Sequence, residues 1–414
     1  MIMNTSMIKK SVTPLQHTYF LVRSSIALFI SAQLLYSAPA LSNPYFNGFI
    51  TQGLVFSDEN AFLTNDSEQG SFDFREIGLN MNYIISPKWR LSGQVLSQKL
   101  GDTIPATPKV DYLLADYGFY NQGLNRAGLR FGRVKTPYGF YNDSRDLPSA
   151  RPGALLPDAI YYEGLRDFMI STDGANLYSS HQLAVGSLSL DAYFGQHKTS
   201  SDASERFYLG RTIDQIEIKN FDKLGINAFF EPVSSNFQFN YSYLQIHPEV
   251  TLLSPIQFPN ANNGIDTLNE INYKSDIHLF SIRYQLPKHS FMVEYSDIGN
   301  TTSTVVNDQK TTRKTYGEAY YAQWQWLPLN QMETWLRYSY YLANKDNGET
   351  SLRSYSKVAT AALRWHFNAD LNVTGQYDLR EGDALIPIHK DYDPSTRNKH
   401  WSVFLVQMNY QFSF

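Results

Sequence analysis

The 414-residue sequence contains no cysteine. That absence excludes a disulfide framework, a thiolate metal site and a lipid-modified N-terminal cysteine. An excess of positive charge is also missing: 35 Lys and Arg face 39 Asp and Glu, a balance that gives nucleic acid no basic footprint. Long apolar runs are absent beyond the N-terminus, so no later segment approaches the roughly 20 apolar residues of a spanning helix. Tryptophan is sparse at 6 residues, whereas tyrosine reaches 29 and phenylalanine 26.

The N-terminal run has its own reading. Lys9, Lys10 and Arg23 precede a short apolar stretch, Ser25 to Tyr36, and then Ala38-Pro39-Ala40. A basic region, a short apolar core and a small-x-small site predict a secretory signal peptide over residues 1–40. Its removal leaves 32 basic against 39 acidic side chains, a net charge of −7.

What is plentiful is alternation. In QMNYQFSF (407–414), Met408, Tyr410, Phe412 and Phe414 share one parity and Gln407, Asn409, Gln411 and Ser413 the other. Side chains of a strand alternate between two faces, so such a segment has one apolar and one polar wall. ADLNVTGQYDLR (369–380) and NFQFNYSYLQ (236–245) repeat the pattern. No sustained window shows the 3.6-residue period of a helix.

Sixteen strand segments follow: 45–55, 73–84, 88–98, 111–120, 125–134, 166–179, 186–196, 222–231, 236–246, 276–286, 289–298, 316–327, 332–343, 354–367, 369–380 and 400–414. Most match the 9–11 residues with which a tilted strand crosses a bilayer. Their connections sort by length. Tight turns fall at 86–87, 121–124, 232–235, 287–288 and 328–331, with longer connections at 56–72, 135–165, 197–221, 247–275, 299–315 and 381–399. An even strand number, with short turns on one side and long loops on the other, predicts an all-β fold: a 16-stranded antiparallel transmembrane β-barrel over 41–414. Trp89, Phe237, Trp326, Trp365, Phe367, Phe412 and Phe414 fall outward near the short turns, where an interfacial girdle belongs.

Sixteen strands enclose an aqueous channel unless something fills it. The third long connection, residues 136–166, mixes prolines and aromatics with both charge signs, and is expected to fold inward. It carries Asp143, Arg145, Asp146, Arg151, Asp158 and Glu163. Inward parity gives the wall Arg90, Arg126, Arg130, Arg283, Arg337 and Arg364, with Glu76, Asp116, Glu294, Glu333, Asp370 and Asp378 on the same face. Loop acids opposite wall arginines such as Arg130 and Arg90 would orient polar solutes in a narrow passage. The plainer expectation is that these groups pair and anchor the loop, with Arg145 and Arg151 satisfying the loop acids locally.

The segment FGRVKTPYGFYNDSRD (131–146) resembles the GRxKxPxG segment that follows a strand in outer-membrane porins related to the phosphate-selective group. The resemblance implies a Gram-negative porin, usually a homotrimer, whose third loop constricts the channel. It also implies outer-membrane lipid and lipopolysaccharide as surroundings. The terminal Tyr410, Phe412 and Phe414 resemble the signal read by the barrel assembly machinery. The mixed lining departs from the dense arginine series of the phosphate-selective channels.

Enzymatic readings find little support. Ser354-x-x-Lys357 has the spacing of a serine–lysine pair, but on a strand the two residues point to opposite faces. His389, Asp391 and His400 are the candidates for hydrolysis at the rim, and His289-Ser290 falls at a short turn. No HExxH, P-loop or dinucleotide fingerprint occurs, so neither a metal nor a cofactor is expected. The expected function is passive diffusion of small hydrophilic or ionic solutes. The alternative is a barrel whose long loops serve adhesion or a rim hydrolase.

Overall fold

The computed structural model describes residues 44–414 except 65, 102, 103, 105, 199–212, 261–263 and 387–395. The expected cleavage site at Ala40 lies outside the described residues. The first half of the sheet runs β1 (Tyr45–Ser57), β2 (Ser71–Ser86), β3 (Trp89–Leu100), β4 (Lys109–Gln122), β5 (Asn125–Lys135), β6 (Ser171–Leu183), β7 (Gly186–Lys198), β8 (Ile216–Pro232) and β9 (Phe237–Leu252). The second half runs β10 (Ile256–Pro259), β11 (Ile265–Gln285), β12 (His289–Val306), β13 (Gln309–Leu329), β14 (Met332–Leu342), β15 (Tyr355–His366), β16 (Leu371–Glu381) and β17 (His400–Ser413). Every pairing is antiparallel. The four-residue β10 pairs with β11 alone, β9 pairs directly with β11, and β17 pairs with β1. Sixteen strands therefore close into a barrel, which leaves no open sheet edge around its circumference.

The closure answers to the alternation in the last strand. Asn47 stands opposite Ser413, and the register runs on without a slip to Ser57 and Val403. Thr51 and Asn409 face inward and bond at 3.0 Å, while Ile50 and Tyr410 face outward. At the end of the strand, Phe46 and Phe414 exchange two backbone hydrogen bonds of 3.2 and 3.0 Å.

Two outer boundaries frame the apolar band. Trp89, Phe237, Trp326, Trp365, Phe367 and Phe414 are exposed on the outer surface near the short turns. About ten residues further along the strands, outward positions become charged. Arg133 pairs with Asp173 at 2.6 Å, Lys345 with Asp297 at 2.6 Å, and Lys357 with Glu349 at 2.7 Å. At roughly 3.3 Å per residue with strand tilt, that spacing matches the ~25 Å apolar belt of a membrane barrel.

The structure corrects four expectations. Of the long connection expected at 247–275, residues 247–252 continue β9 and 265–275 already belong to β11. The long connection expected at 299–315 is instead strand: β12 and β13 continue to a two-residue turn at Asn307-Asp308. Both turn residues are left-handed, with φ of 48° and 62°, the conformation a two-residue hairpin needs and Asn and Asp tolerate. Residues 166–170 form a helical turn, so β6 begins at Ser171 rather than at 166. Asp370 sits exposed in the turn before β16, where its carbonyl accepts the Gln411 N–H at 2.8 Å, and it does not line the lumen.

The barrel interior is not uniformly polar. Tyr138, Tyr141 and Tyr161 of the 136–170 connection cluster with Tyr193, Leu244 and Leu279 on the wall. On another side, Ala154 and Leu155 join Phe62, Phe74, Trp401 and Leu405. Burial of these apolar side chains, at roughly 25 cal/mol per Å², holds the connection inside the barrel.

Candidate functional site: the lumen and its inner loop

After Lys135 the chain leaves β5 through Thr136-Pro137 and turns at Gly139, whose φ is +60°. A Cβ there would lie 2.2 Å from the Tyr161 hydroxyl, so only glycine admits this approach. The turn brings the Gly139 N–H to the Ser242 hydroxyl at 2.9 Å, and the Phe140 N–H to Glu294 at 3.1 Å. Glu294 is buried on β12 and accepts from Ser281 at 2.6 Å, Tyr161 at 2.7 Å and Tyr321 at 2.7 Å. The Tyr161 hydroxyl also accepts the Phe140 N–H at 2.9 Å. Burial, reinforced by the Glu294 carboxylate, pushes that hydroxyl well above its ordinary range and keeps it a donor.

Further fastenings lie elsewhere on the wall. Arg151 meets Glu76 of β2 at 2.7 and 2.9 Å. Gln376 of β16 accepts from the Ala154 and Leu155 N–H groups at 2.9 and 3.2 Å. Arg364 of β15 donates to the carbonyls of Ser149, Arg151 and Gly153, and Arg337 of β14 to that of Pro152. Asp158 pairs with Arg380 at 2.7 Å, and Arg380 also holds Asp378 at 2.9 Å. Arg166 in the helical turn pairs with buried Asp111 of β4.

Within the connection, Arg145 is buried and bonds to Glu163 at 3.0 Å and to the Tyr161 carbonyl at 3.1 Å. Burial alone would raise the Glu163 carboxyl, but Arg145, Arg166 and Arg151 outweigh it and hold Glu163 below the usual carboxylate range. Of the six loop residues singled out from sequence, Arg151 and Asp158 reach wall partners and Arg145 and Glu163 satisfy each other. Asp146 bonds to Lys135 at 3.0 and 3.1 Å, and the Asp143 carbonyl accepts from the same ammonium at 2.7 Å.

The Asp143 carboxyl is open to the lumen, although protein surrounds it on several sides. That enclosure pushes it up to about 6, with Lys135 and Arg130 opposing and Asp191 and Asp146 adding to the rise. Facing it on the wall is a charged strip. Arg130 lies 3.8 Å from Asp116 and 3.7 Å from Asp191 and stacks 4.1 Å above the Tyr178 ring. Arg90 bonds to Asp116 at 2.6 Å, and Tyr178 donates to the same carboxylate at 2.8 Å. Arg126 stands exposed nearer the short turn. Arg337 and Glu294, the remaining expected wall residues, are buried under the loop on the opposite side.

Sequence reading missed several of these partners. Lys135, Arg380, Tyr161, Gln376 and Asp111, the partner of the loop's Arg166, all hold the loop. The one signal available beforehand was inward parity for Gln376 and Arg380 on 369–380.

The enzymatic candidates do not assemble. The Ser354 hydroxyl donates to the Ser351 carbonyl at 2.7 Å, whereas Lys357 pairs with Glu349 at 2.7 Å. His289 stacks on Trp324 and Trp326, and His400 is exposed at the start of β17. His389 and Asp391 lie outside the described residues. Among the described residues no group of three or more His, Asp or Glu side chains could hold a metal ion.

No family model matches the chain, and no curated protein matches it. Solved structures do. OmpT, an outer membrane protein of Vibrio cholerae, aligns with a TM-score of 0.53 at 12% identity, covering 91% of this chain and 100% of that one. An anion-selective porin from Comamonas acidovorans aligns with a TM-score of 0.55 at 11% identity, covering 90% and 99%. OmpF of Salmonella typhi, in complex with daunomycin, aligns with a TM-score of 0.52 at 14% identity, covering 89% and 97%. At such identities the likeness is one of fold: this chain has the barrel of outer-membrane porins.

Proposed function

We propose that this chain is a porin: a passive diffusion channel of a bacterial outer membrane for small hydrophilic or ionic solutes. The observation that carries the reading is the charged strip of Arg90, Arg130, Asp116 and Asp191 facing Lys135, Asp143 and Asp146 across the inner loop. Inner-loop anchoring by apolar clusters and buried ion pairs leaves Arg90, Arg130, Lys135 and Asp143, rather than a flexible loop, to border the passage, with Asp116 and Asp146 buried behind them. Opposed fixed charges there favour polar solutes without strong selection by sign.

A kinship with phosphate-selective porins rests on the 131–146 segment. The lining supports a weaker preference, because acids match the arginines along the strip. We read the chain as a transport protein rather than an enzyme, since the serine, lysine and described histidine candidates are engaged in stacking or local bonds, or stand apart. Assembly as a homotrimer is part of the same reading, in keeping with the trimer form in which the Vibrio cholerae OmpT is described. So are a signal peptide over 1–40, contact with lipid and lipopolysaccharide, and recognition of Tyr410, Phe412 and Phe414 by the barrel assembly machinery.

The test is conductance of the purified protein in a planar bilayer, with the reversal potential under a salt gradient. Open steps with a small reversal potential are expected. A folded barrel that never conducts would overturn the reading.

A further inference from the structure

On the short-turn side of the inner loop the lumen wall forms a recess of about 150 Å³, partly open to the channel. Its lining includes Arg283, Arg364, Glu333, Trp335, Met292 and Tyr141. The charges there are unbalanced. Arg283 and Arg364 form no ion pair among the described residues, and the third lining arginine, Arg151, is matched by Glu76. The one lining carboxylate, Glu333, bonds to His366 at 2.6 Å and to Gln325 at 3.1 Å.

The two unpaired arginines differ in what they have left to offer. Arg364 spends its donors on Thr374 and four loop carbonyls. Its charge remains, but its bonds are taken. Arg283 makes one hydrogen bond, to Gln238 at 3.1 Å, and lies 4.4 Å over the Phe140 ring. Its buried Nε has no partner. A guanidinium edge held flat by an aromatic ring, with donors to spare, suits a carboxylate. The surface around it is mostly polar, and Trp335, Met292 and Tyr141 are buried behind it. Glu333 opposes a second negative charge.

We infer that this recess is a retention site for small monovalent carboxylates, with Arg283 taking the carboxylate. The inference rests on the channel reading, and names an anion class that pauses beside the passage. Partial enclosure strengthens the attraction, since a charge pair is worth more where water is scarce. Glu333 weakens the site while its carboxylate is charged.

Benzoate is the probe and neutral benzamide, of the same shape, the control. Binding is measured by saturation-transfer NMR and equilibrium dialysis on the folded barrel in detergent, independent of conduction. Preference for benzoate of about tenfold is expected. Arg283→Gln is expected to abolish the preference, and Glu333→Gln to raise benzoate affinity. The gain in the second variant separates the effect from misfolding, and heat-modifiable migration confirms that both fold. Equal binding of benzoate and benzamide, or an undiminished preference in Arg283→Gln, would overturn the inference. A barrel that binds benzoate but never conducts overturns the channel reading alone. One that conducts without preferring benzoate overturns this inference alone.

Discussion

Arg151 of the inner loop and Glu76 of the wall meet through two parallel hydrogen bonds, 2.7 and 2.9 Å, with both side chains buried. The pair joins β2 to a segment that is also fastened to β4, β12, β14, β15 and β16. A two-pronged guanidinium–carboxylate contact fixes orientation as well as distance. It holds the loop at one defined height in the barrel.

Removing one partner leaves the other charged and buried. Glu76→Gln is therefore expected to cost roughly 3–5 kcal/mol, whereas replacing both members by apolar residues costs far less. A double-mutant cycle with Glu76→Leu and Arg151→Leu, read from thermal unfolding of the detergent-solubilised barrel, checks this. Additive losses in the double variant would show that the pair does not act as a unit.

The Tyr161 hydroxyl fastens the other side, bonding to Glu294 and receiving the Phe140 N–H. Tyr161→Phe keeps the ring among Tyr138 and Tyr141 and removes those bonds together with the one accepted from the Tyr141 N–H at 3.2 Å. A loss of about 1–3 kcal/mol is expected, because a buried backbone N–H and a carboxylate each lose a partner. Tyr321 still serves Glu294, so the loop stays inside but moves more. Excess noise in the open-channel current is the readout, with unchanged current fluctuations as the contrary result.

If the chain is the channel proposed, Asp143 is expected to make its permeation depend on pH. Its carboxyl is pushed up to about 6 by the protein that encloses it, against the opposing charges of Lys135 and Arg130. Sitting above the ordinary carboxylate range, it is charged above that value and neutral below it. As pH falls from about 7.5 to 5, one negative charge leaves the passage, and the reversal potential should move toward anion preference. Asp143→Asn should hold the low-pH value throughout. The side chain is open to lumen water, so the shift bears on ion selection rather than on folding stability.

The strands were legible because alternation is a local property. Each of the sixteen segments contains the residues that reveal it, and the structure moves most of their ends by only a few residues. The failures also have physical causes. Residues 299–315 carry many Thr and Ser side chains exposed on both faces, so no apolar parity announced a strand. The left-handed Asn307-Asp308 turn was the one local sign of the hairpin. Arg166–Asp111 and Asp158–Arg380 join residues 55 and 222 positions apart, and no spacing in the chain encodes such a meeting. Candidate loop charges could be named from sequence, but their partners depended on how deep the loop descends. Lys135 shows the difficulty best: it reads as the first residue after the strand at 125–134, and nothing in the sequence points its ammonium at Asp146.

If Phe414 belongs to the proposed assembly signal, its loss is expected to separate folding from delivery. Its ring stacks on Phe46 at 5.6 Å and near Phe412 at 6.2 Å, and its backbone exchanges two hydrogen bonds with Phe46. These contacts close only the last rung of a register that continues to Val403. Deleting Phe414 should therefore cost the purified barrel about 1–3 kcal/mol, from two exposed hydrogen bonds and one aromatic contact. Refolding in detergent should still give the compact, heat-modifiable form. In cells the same deletion is expected to lower the amount of folded barrel in the outer membrane severalfold, because an assembly signal acts through recognition rather than stability. Substituting Phe414→Tyr, which keeps an aromatic ring at the terminus, should restore most of it. Equal losses in refolding and in cells would mean that Phe414 serves closure alone.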